Sequence, residues 1–173
     1  YYTTEYGSGF ADGTIPWEEN RGIGMSFGIN RIENIDDYRT DTELIFMLVD
    51  IVSRGGNLLL NIGPNADGTI PVIMQQRLIE IGNWLSVYGE GIYDTKQWIK
   101  DAQWSSGIIP SFTKNDFHAG FPIYEMTINP KKGNAVKEFW FTKKQNNLYV
   151  FAPEWPKNIN ILIKDVKTTN KTE

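Results

Sequence analysis

Consecutive apolar residues between polar ends mark the stretch from Asn57 to Asp67, NLLLNIGPNAD, as a strand followed by a loop. Its leucines follow one another without alternating, which is typical of a strand that is covered on both faces. Gly63 and Pro64 end the strand, and the word NADG after them predicts a turn. The stretch is therefore predicted to be a central strand of a parallel sheet.

The segments on both sides of this strand have the period of amphipathic helices. Thr40 and Glu43 form a capping-box pattern at the start of the first helix, and Gly55 ends it. The second helix is predicted to begin at Pro71 and to end at Gly89. The apolar positions at helical spacing are Leu44, Ile45, Leu48, Val49 and Val52 in the first helix, and Met74, Leu78, Ile81, Leu85 and Tyr88 in the second.

Two further strands are predicted upstream. Tyr1 to Tyr6 has strand composition and is broken by the loop that follows, and Trp17 to Ile23 is a second candidate that is carried on into Met25 to Ile29. The order strand, strand, helix, strand, helix is that of an α/β fold with parallel crossovers.

Beyond Tyr93 the period changes from helical to alternating. Phe139 and Phe141 alternate with Glu138 and Trp140, a KKQNN turn follows, and Leu148 to Phe151 completes a predicted hairpin. Residues 159–163 alternate in the same way and predict another strand. We expect residues 1–94 to be the carboxyl-terminal part of a (β/α) barrel and residues 95–173 to be part of an antiparallel β-sandwich. Both are expected to be incomplete, because so few strands close neither a barrel nor a sandwich.

Composition narrows the range of partners. The formal net charge is −4 with acidic and basic residues interspersed, so no basic face is expected to bind nucleic acid. No apolar run approaches the ~20 residues that span a bilayer, so no membrane partner is expected. The amino-terminal residues, YYTTEYGSGF, do not have the pattern of a signal peptide.

Carboxylates at the carboxyl ends of the predicted strands are the candidates for chemistry, because the reactive groups of β/α barrels lie at that edge. Glu5 is followed by a glycine-rich loop and flanked by Tyr2 and Tyr6, which predicts the partly apolar setting that suits a catalytic acid. Residue types alone leave open which candidate is catalytic and which are solvated charges. The candidates are Glu5, Glu18, Glu19 and Asp67.

Other residue types restrict the chemistry further. His118 is the single histidine and there is no cysteine, so neither a histidine-based metal cluster nor a cysteine nucleophile is expected. No metal or cofactor is predicted. Trp17 and Phe27, near strand ends, are open to two interpretations, as walls of a binding pocket or as core residues.

Three separated runs, WEENRGIGMSFGINR, ELIFMLVDIVSRGGNLLLNIGPNADGTIP and RLIEIGNWLSVYGEGIYDTKQW, closely resemble the end of the catalytic domain of the α-L-fucosidases of glycoside hydrolase family 29. The resemblance covers about residues 1–98. It implies a retaining hydrolase that acts on fucosylated glycans. The word TTEY then implies that Glu5 is the general acid/base, and MSFG implies that Phe27 packs against fucose. The aspartate nucleophile and the sugar-binding histidines are implied to lie upstream of Tyr1.

The resemblance implies that this chain alone is inactive. The richness in Asn, Lys and Ile favours a bacterial source, and by analogy with exported glycan-degrading enzymes we expect a secreted or periplasmic location. The oligomeric state, the fucosyl linkage and the preference between aryl and branched substrates stay open. A second interpretation is a non-catalytic carbohydrate-binding module built on the aromatic residues between Trp98 and Trp155, for which exposed aromatic faces on one sheet would be the mark. A third is a scaffold that retains a decayed barrel fragment.

Overall fold

The computed structural model describes residues 2–5, 15–110, 123–155 and 160–166. Within them the first sheet is parallel and contains β1 (Tyr2–Glu5), β2 (Trp17–Gly22) and β3 (Gly56–Asn61), in that order. Helix α1 (Asp41–Ser53) connects β2 to β3, and helix α2 (Val72–Tyr88) follows β3. This confirms the predicted order of elements and the parallel crossover. Tyr1, Tyr6, His118 and Ile159 lie outside the described residues.

The local signals for α1 are confirmed. The Thr40 hydroxyl accepts from the Glu43 backbone N–H at 3.2 Å, and the Glu43 carboxylate accepts from the Thr40 N–H at 2.8 Å. Gly55, just past the helix, has a φ of 78°, which explains why glycine stands there.

The buried face of α1 is wider than the apolar face that the sequence predicted. Of the residues predicted for it, Leu44 and Val49 are fully buried. The buried set covers more of the circumference because α1 contacts β3 on one side and the second sheet on another. Its members are Leu44, Phe46, Met47, Val49, Asp50, Ile51 and Ser53.

The second sheet is antiparallel and contains β4 (Lys96–Trp104), β5 (Lys137–Lys144) and β6 (Asn147–Phe151), in that order. The β5–β6 hairpin was predicted and is observed, with Gln145 at a φ of 53° in its turn. Trp140 was predicted to alternate with Phe139 and Phe141, which would put it on the opposite face of β5. That face is buried as well, with Trp140 1% exposed, because α1 covers it.

Two strand predictions are wrong. Residues 23–29 form bends rather than a continuation of β2, and residues 160–166 form no strand. Ile161 and Leu162 are 47% and 72% exposed. This segment is attached through side chains of β4 instead of a strand ladder, with the Lys164 backbone N–H donating to the side-chain Oε1 of Gln103 at 2.9 Å.

One face of the parallel sheet has no cover among the described residues. Leu59 is 47% exposed, although the leucine run predicted a strand covered on both faces. Helix α1 packs on the other face, where Leu58 and Leu60 join the core. No helix in the described ranges is both long and apolar enough to cross a membrane.

Candidate active site

The carboxyl ends of the three parallel strands lie along one edge of the sheet. In the strand register, Glu5 of β1 pairs with Asn20 of β2, and Asn20 pairs with Leu59 of β3. Paired residues of neighbouring strands point to the same face, so these three side chains lie on the uncovered face of the sheet. Glu5 is the last residue of β1 and is exposed with respect to the part of the chain that the structure describes.

The register sorts the candidate carboxylates between the two faces. Glu18 lies two residues before Asn20 and shares the uncovered face with Glu5. Glu19 points the opposite way and is 1% exposed on the side of α1. The predicted flanking of Glu5 by Tyr2 is wrong, because three positions along a strand place Tyr2 on the other face, where it is 53% exposed.

Glu19 is held beneath the sheet by two partners. Its Oε1 lies 2.9 Å from Nε of Arg21, and both side chains are essentially inaccessible to solvent. Its Oε2 accepts a hydrogen bond from the Thr4 hydroxyl. Glu19 has the position of a structural carboxylate, since a fully buried charge needs a counter-charge and hydrogen bonds.

Arg21 has a perturbed pKa. Burial lowers the pKa of the guanidinium to about 10, with Glu19 acting in the opposite direction and Arg39 and Arg54 adding to the lowering. At neutral pH the side chain is still protonated. The Glu19 and Arg21 pair is therefore a charged pair inside the fold.

Asp67 lies in the loop after β3 and organises a turn. Its Oδ1 accepts from the Thr69 backbone N–H at 3.0 Å and from the Thr69 hydroxyl at 2.7 Å. These bonds lower the pKa of the exposed Asp67 carboxyl. Gly68, at a φ of 83°, completes the turn that NADG predicted.

Phe27 lies in the loop that leaves the carboxyl end of β2 and is half-buried. Its backbone carbonyl accepts from the side-chain amide of Asn61, the last residue of β3. A Cβ at Gly63 would lie 2.5 Å from both the Gly28 carbonyl carbon and the Ile29 nitrogen, so the two loops are in backbone contact. The end of β3 thus fixes Phe27 at the edge of the sheet where β1 ends with Glu5.

Trp17 has a packing role in the structure rather than a place in a pocket. It is 0% exposed at the amino end of β2, its ring contacts Gly56, and its indole N–H donates to the Arg54 carbonyl at 3.4 Å. The Arg54 guanidinium lies 5.0 Å from the ring centre. Of the two interpretations that the sequence left open for Trp17, its burial at the amino end of β2 favours the core residue, since the carboxyl ends of the strands lie at the opposite edge of the sheet.

A buried ionic cluster lies between the two sheets and was not predicted. The Asp50 carboxylate of α1 accepts from Lys137 Nζ at 2.6 Å, from Trp140 Nε1 at 2.9 Å and from Arg54 Nε at 2.9 Å. Lys137 also reaches Asp101 of β4 at 3.1 Å. An acidic residue at a core position of a helix, followed four residues later by arginine, is the one local signal for this cluster.

The aromatic residues of the antiparallel sheet are mostly packed. Trp140 and Phe141 are 1% and 0% exposed, Trp98 and Trp104 are half-buried, and Trp155 is 89% exposed. The nearby cavity of about 260 Å³ is smaller than the ~300–1,000 Å³ of typical small-molecule sites. It is lined by Thr127, Ile128, Val136, Lys137, Glu138, Phe139, Pro153 and Glu154. Among the described residues, Trp140 and Phe141 therefore serve the core rather than a sugar-stacking surface, and Trp155, which lies beyond β6, is the exposed exception.

No group of three or more potential metal ligands occurs in the part of the chain that the structure describes. The parallel sheet, with its crossover helix and with Glu5 and Phe27 at the carboxyl edge, defines this part of the chain as a β/α protein with a polar strand-end site.

The model of the family described as alpha-L-fucosidase matches residues 1–90. The chain is 36% identical to the alpha-L-fucosidase of Dictyostelium discoideum over 91% of its own length, and 34% identical to the human tissue alpha-L-fucosidase over 86%. The solved alpha-fucosidase of Thermotoga maritima has a TM-score of 0.62, with 34% identity over 86% of this chain. The chain belongs to the α-L-fucosidase family, glycoside hydrolase family 29. It spans 28%, 26% and 28% of the lengths of these three proteins.

Proposed function

We propose that this chain is the carboxyl-terminal part of a retaining exo-glycosidase that hydrolyses terminal α-L-fucose from glycoconjugates or oligosaccharides. In this proposal residues 1–94 belong to a (β/α) barrel and residues 95–173 to a β-sandwich. The parallel order β1-β2-β3 and the antiparallel order β4-β5-β6 support it. The uncovered face of the parallel sheet is then the face that lines the barrel interior.

The observation that carries the proposal is the place of Glu5, on the uncovered face at the carboxyl end of β1. Barrel enzymes carry their reactive groups at that edge. The relatives support the substrate class, since the alpha-fucosidase of Thermotoga maritima has been solved in complex with fucose. An alpha-L-fucosynthase from the same organism, with a TM-score of 0.58 to this chain, has been solved in complex with alpha-L-Fuc-(1-2)-beta-L-Fuc-N3.

In the proposed mechanism the Glu5 carboxylic acid donates its proton to the glycosidic oxygen while an aspartate attacks the anomeric carbon. The bond to the leaving group breaks and a covalent fucosyl-enzyme forms. The Glu5 carboxylate then takes a proton from water, whose oxygen attacks the same carbon and releases fucose with retained configuration. The aspartate would lie outside this chain, about 5 to 5.5 Å from Glu5 across the sugar. This chain alone is then inactive, because it supplies no nucleophile.

Glu5→Gln in the full-length protein that contains this chain tests the assignment. The glutamine cannot donate a proton to the leaving oxygen, so kcat/KM for fucosides with alkyl or sugar leaving groups should fall by about 10² to 10⁴. For an activated aryl fucoside, whose leaving group needs no protonation, kcat/KM should fall far less. Steady-state kinetics over a series of leaving groups measures the difference.

The control for this test is Glu18→Gln, which alters the other carboxylate on the same face of the sheet. Its loss should not depend on the leaving group. Azide should rescue turnover of the activated substrate by Glu5→Gln and yield a fucosyl azide of retained configuration, because a covalent intermediate is trapped without a base. Unchanged hydrolysis of the alkyl fucosides by Glu5→Gln would refute the assignment.

The packed aromatics of the antiparallel sheet do not favour the carbohydrate-binding module as the main role, since exposed aromatic faces were its mark. We also propose a secreted or periplasmic location, by analogy with exported glycan-degrading enzymes. Cell fractionation of the source organism, with fucosidase activity as the readout, tests that location.

A further inference from the structure

Thr4 and Glu5 are neighbours in β1 whose side chains point to opposite faces of the sheet. Glu5 faces the uncovered side. Thr4 points beneath the sheet, where its hydroxyl donates to the Glu19 carboxylate of β2. A side-chain bond at Thr4 therefore restricts the rotation of β1 about its own axis, and that rotation sets the direction of the Glu5 side chain.

The acceptor of this bond is itself held firmly. Glu19 is 1% exposed and its other oxygen lies 2.9 Å from Arg21 Nε, while Arg21 is 0% exposed. A buried ion pair contributes little net stability relative to apolar residues of similar size. It does supply an oxygen whose position is fixed by charge and packing.

The strand that this oxygen holds is short. Strand β1 has four residues, and within the described ranges β2 is its one ladder neighbour. Four residues form few backbone hydrogen bonds, so one side-chain bond is a substantial share of what fixes their orientation. Thr4 and Glu19 also occupy paired register positions, which places their side chains next to each other on the helix-facing side.

We propose that Thr4, Glu19 and Arg21 form a positioning group that aims the carboxyl of Glu5 at the glycosidic oxygen. The inference rests on the proposed role of Glu5 as the acid/base. These residues touch no substrate and act through β1. Their contribution is geometric, since a displacement of about 1 Å of a reacting group lowers the rate by as much as 10²-fold.

Thr4→Val in the full-length protein is the decisive variant, because it keeps the shape of the side chain and removes the hydroxyl. We expect kcat/KM to fall about tenfold for alkyl or sugar leaving groups and by less than about twofold for an activated aryl fucoside. KM for the aryl substrate should not change. Thr4→Ser, which keeps the donor, should restore the activity on the poor leaving groups.

Thr142→Val is the matched control. It too removes a threonine hydroxyl that forms a hydrogen bond, here a buried one that donates to the Gly91 carbonyl at 2.6 Å, but it does so in β5 of the other sheet. Its effect should be the same for every leaving group. Thr4→Ala serves in place of Thr4→Val if the valine variant does not fold.

The outcomes separate the inference from the proposal beneath it. If Glu5→Gln selectively loses activity on substrates with poor leaving groups and neither Thr4→Val nor Thr4→Ala does, the positioning role is wrong and the acid/base assignment stands. Equal losses for all substrates in Thr4→Val would also overturn the positioning role. If Glu5→Gln shows no selective loss, the acid/base assignment fails, and the inference fails with it.

Discussion

Asp50 shows what a single residue contributes to the connection between the two sheets. Burial on its own would raise the pKa of this carboxyl, but the charges of Lys137 and Arg54, with hydrogen bonds from Lys137 and Trp140, outweigh it and lower the pKa to about 2. The carboxylate therefore stays ionised in the core and accepts from Arg54, the residue that caps the end of α1, and from Lys137 of β5.

Asp50→Asn should destabilise the full-length protein by about 3 to 5 kcal/mol at neutral pH, because it leaves buried cations without their counter-charge. Part of this difference should vanish in acid. The folded pKa of Asp50 lies below its unfolded value of about 3.9, so its stabilisation is complete above pH 4 and is lost as the pH falls toward 2. Urea unfolding of both proteins between pH 7 and pH 2.5 measures it.

Asp101→Asn is the control for this prediction. Asp101 contacts the same lysine at 3.1 Å, but its side chain is 32% exposed. Its loss should therefore cost less than about 1 kcal/mol. A difference in the free energy of unfolding between wild type and Asp50→Asn that stays constant down to pH 2.5 would contradict an ionised, stabilising carboxylate at Asp50.

Glu5 ends β1 as the sequence predicted, but Glu18 and Glu19 are the second and third residues of β2, so their predicted place at the carboxyl end of a strand is wrong. The sequence also did not predict which face each of them occupies. Glu18 and Glu19 are adjacent, and β2, WEENRG, has charged or polar residues on both faces. The usual alternation of apolar and polar positions, which assigns the faces of a strand, is therefore missing here. The strand register was needed to place Glu18, which pairs with Thr3, on the same face as Glu5, and Glu19 on the opposite face.

At the scale of elements, the loop after β2 depends on the end of β3. The two approach so closely at Gly63 that no side chain fits between them, and the Asn61 amide holds the Phe27 carbonyl. The position of Phe27 is therefore set by backbone contact between two strand ends rather than by the loop sequence.

Gly63→Ala should displace this loop, because the added Cβ would lie 2.5 Å from the main chain at Gly28 and Ile29. We expect kcat/KM of the full-length enzyme for fucosides to fall roughly tenfold as Phe27 moves. Fucoside kinetics and a crystal structure of the variant test it. Gly28→Ala adds a Cβ that meets nothing within 4 Å and should be nearly neutral. Equal effects of both variants would argue against the contact.

Elements with local signals were predicted well, whereas the strand predicted at residues 159–163, which depends on a distant partner, was not. The Thr40 and Glu43 capping box lies within one helical turn, so the sequence places the start of α1 directly. Residues 159–163 alternate like a strand, but a strand needs a partner, and β4 pairs with β5 instead. Alternation alone does not identify that partner.

At the scale of the whole molecule, α1 packs against both sheets within one hydrophobic core. It packs on β3 on one side and on β4 and β5 on the other, with Phe46 5.6 Å from Trp140 between ring centres. The predicted boundary at residue 94 separates two kinds of sheet. It does not separate two hydrophobic cores, since the buried cluster includes residues from both sheets.

Truncation of the full-length protein after Asp94 should therefore remove the second sheet and also destabilise the part that is left. The truncation exposes Phe46 and leaves Asp50 without Lys137 and Trp140, so we expect aggregation or loss of near-ultraviolet circular dichroism in what is left. The comparison is with the intact protein under the same conditions. Cooperative melting of the truncated protein at an unchanged temperature would show that the parallel sheet and α1 fold independently of the second sheet.

The cluster around Asp50 also sets a rule for recombining this protein with its relatives. A chimera that takes residues 1–94 from one parent and the remainder from another joins two parts of the buried ionic cluster that come from different parents. Asp50 and Arg54 come from the first parent, and Asp101, Lys137 and Trp140 come from the second. Functional hybrids should therefore be those whose two parents carry the same residues at these five positions, whatever the overall identity of the parents.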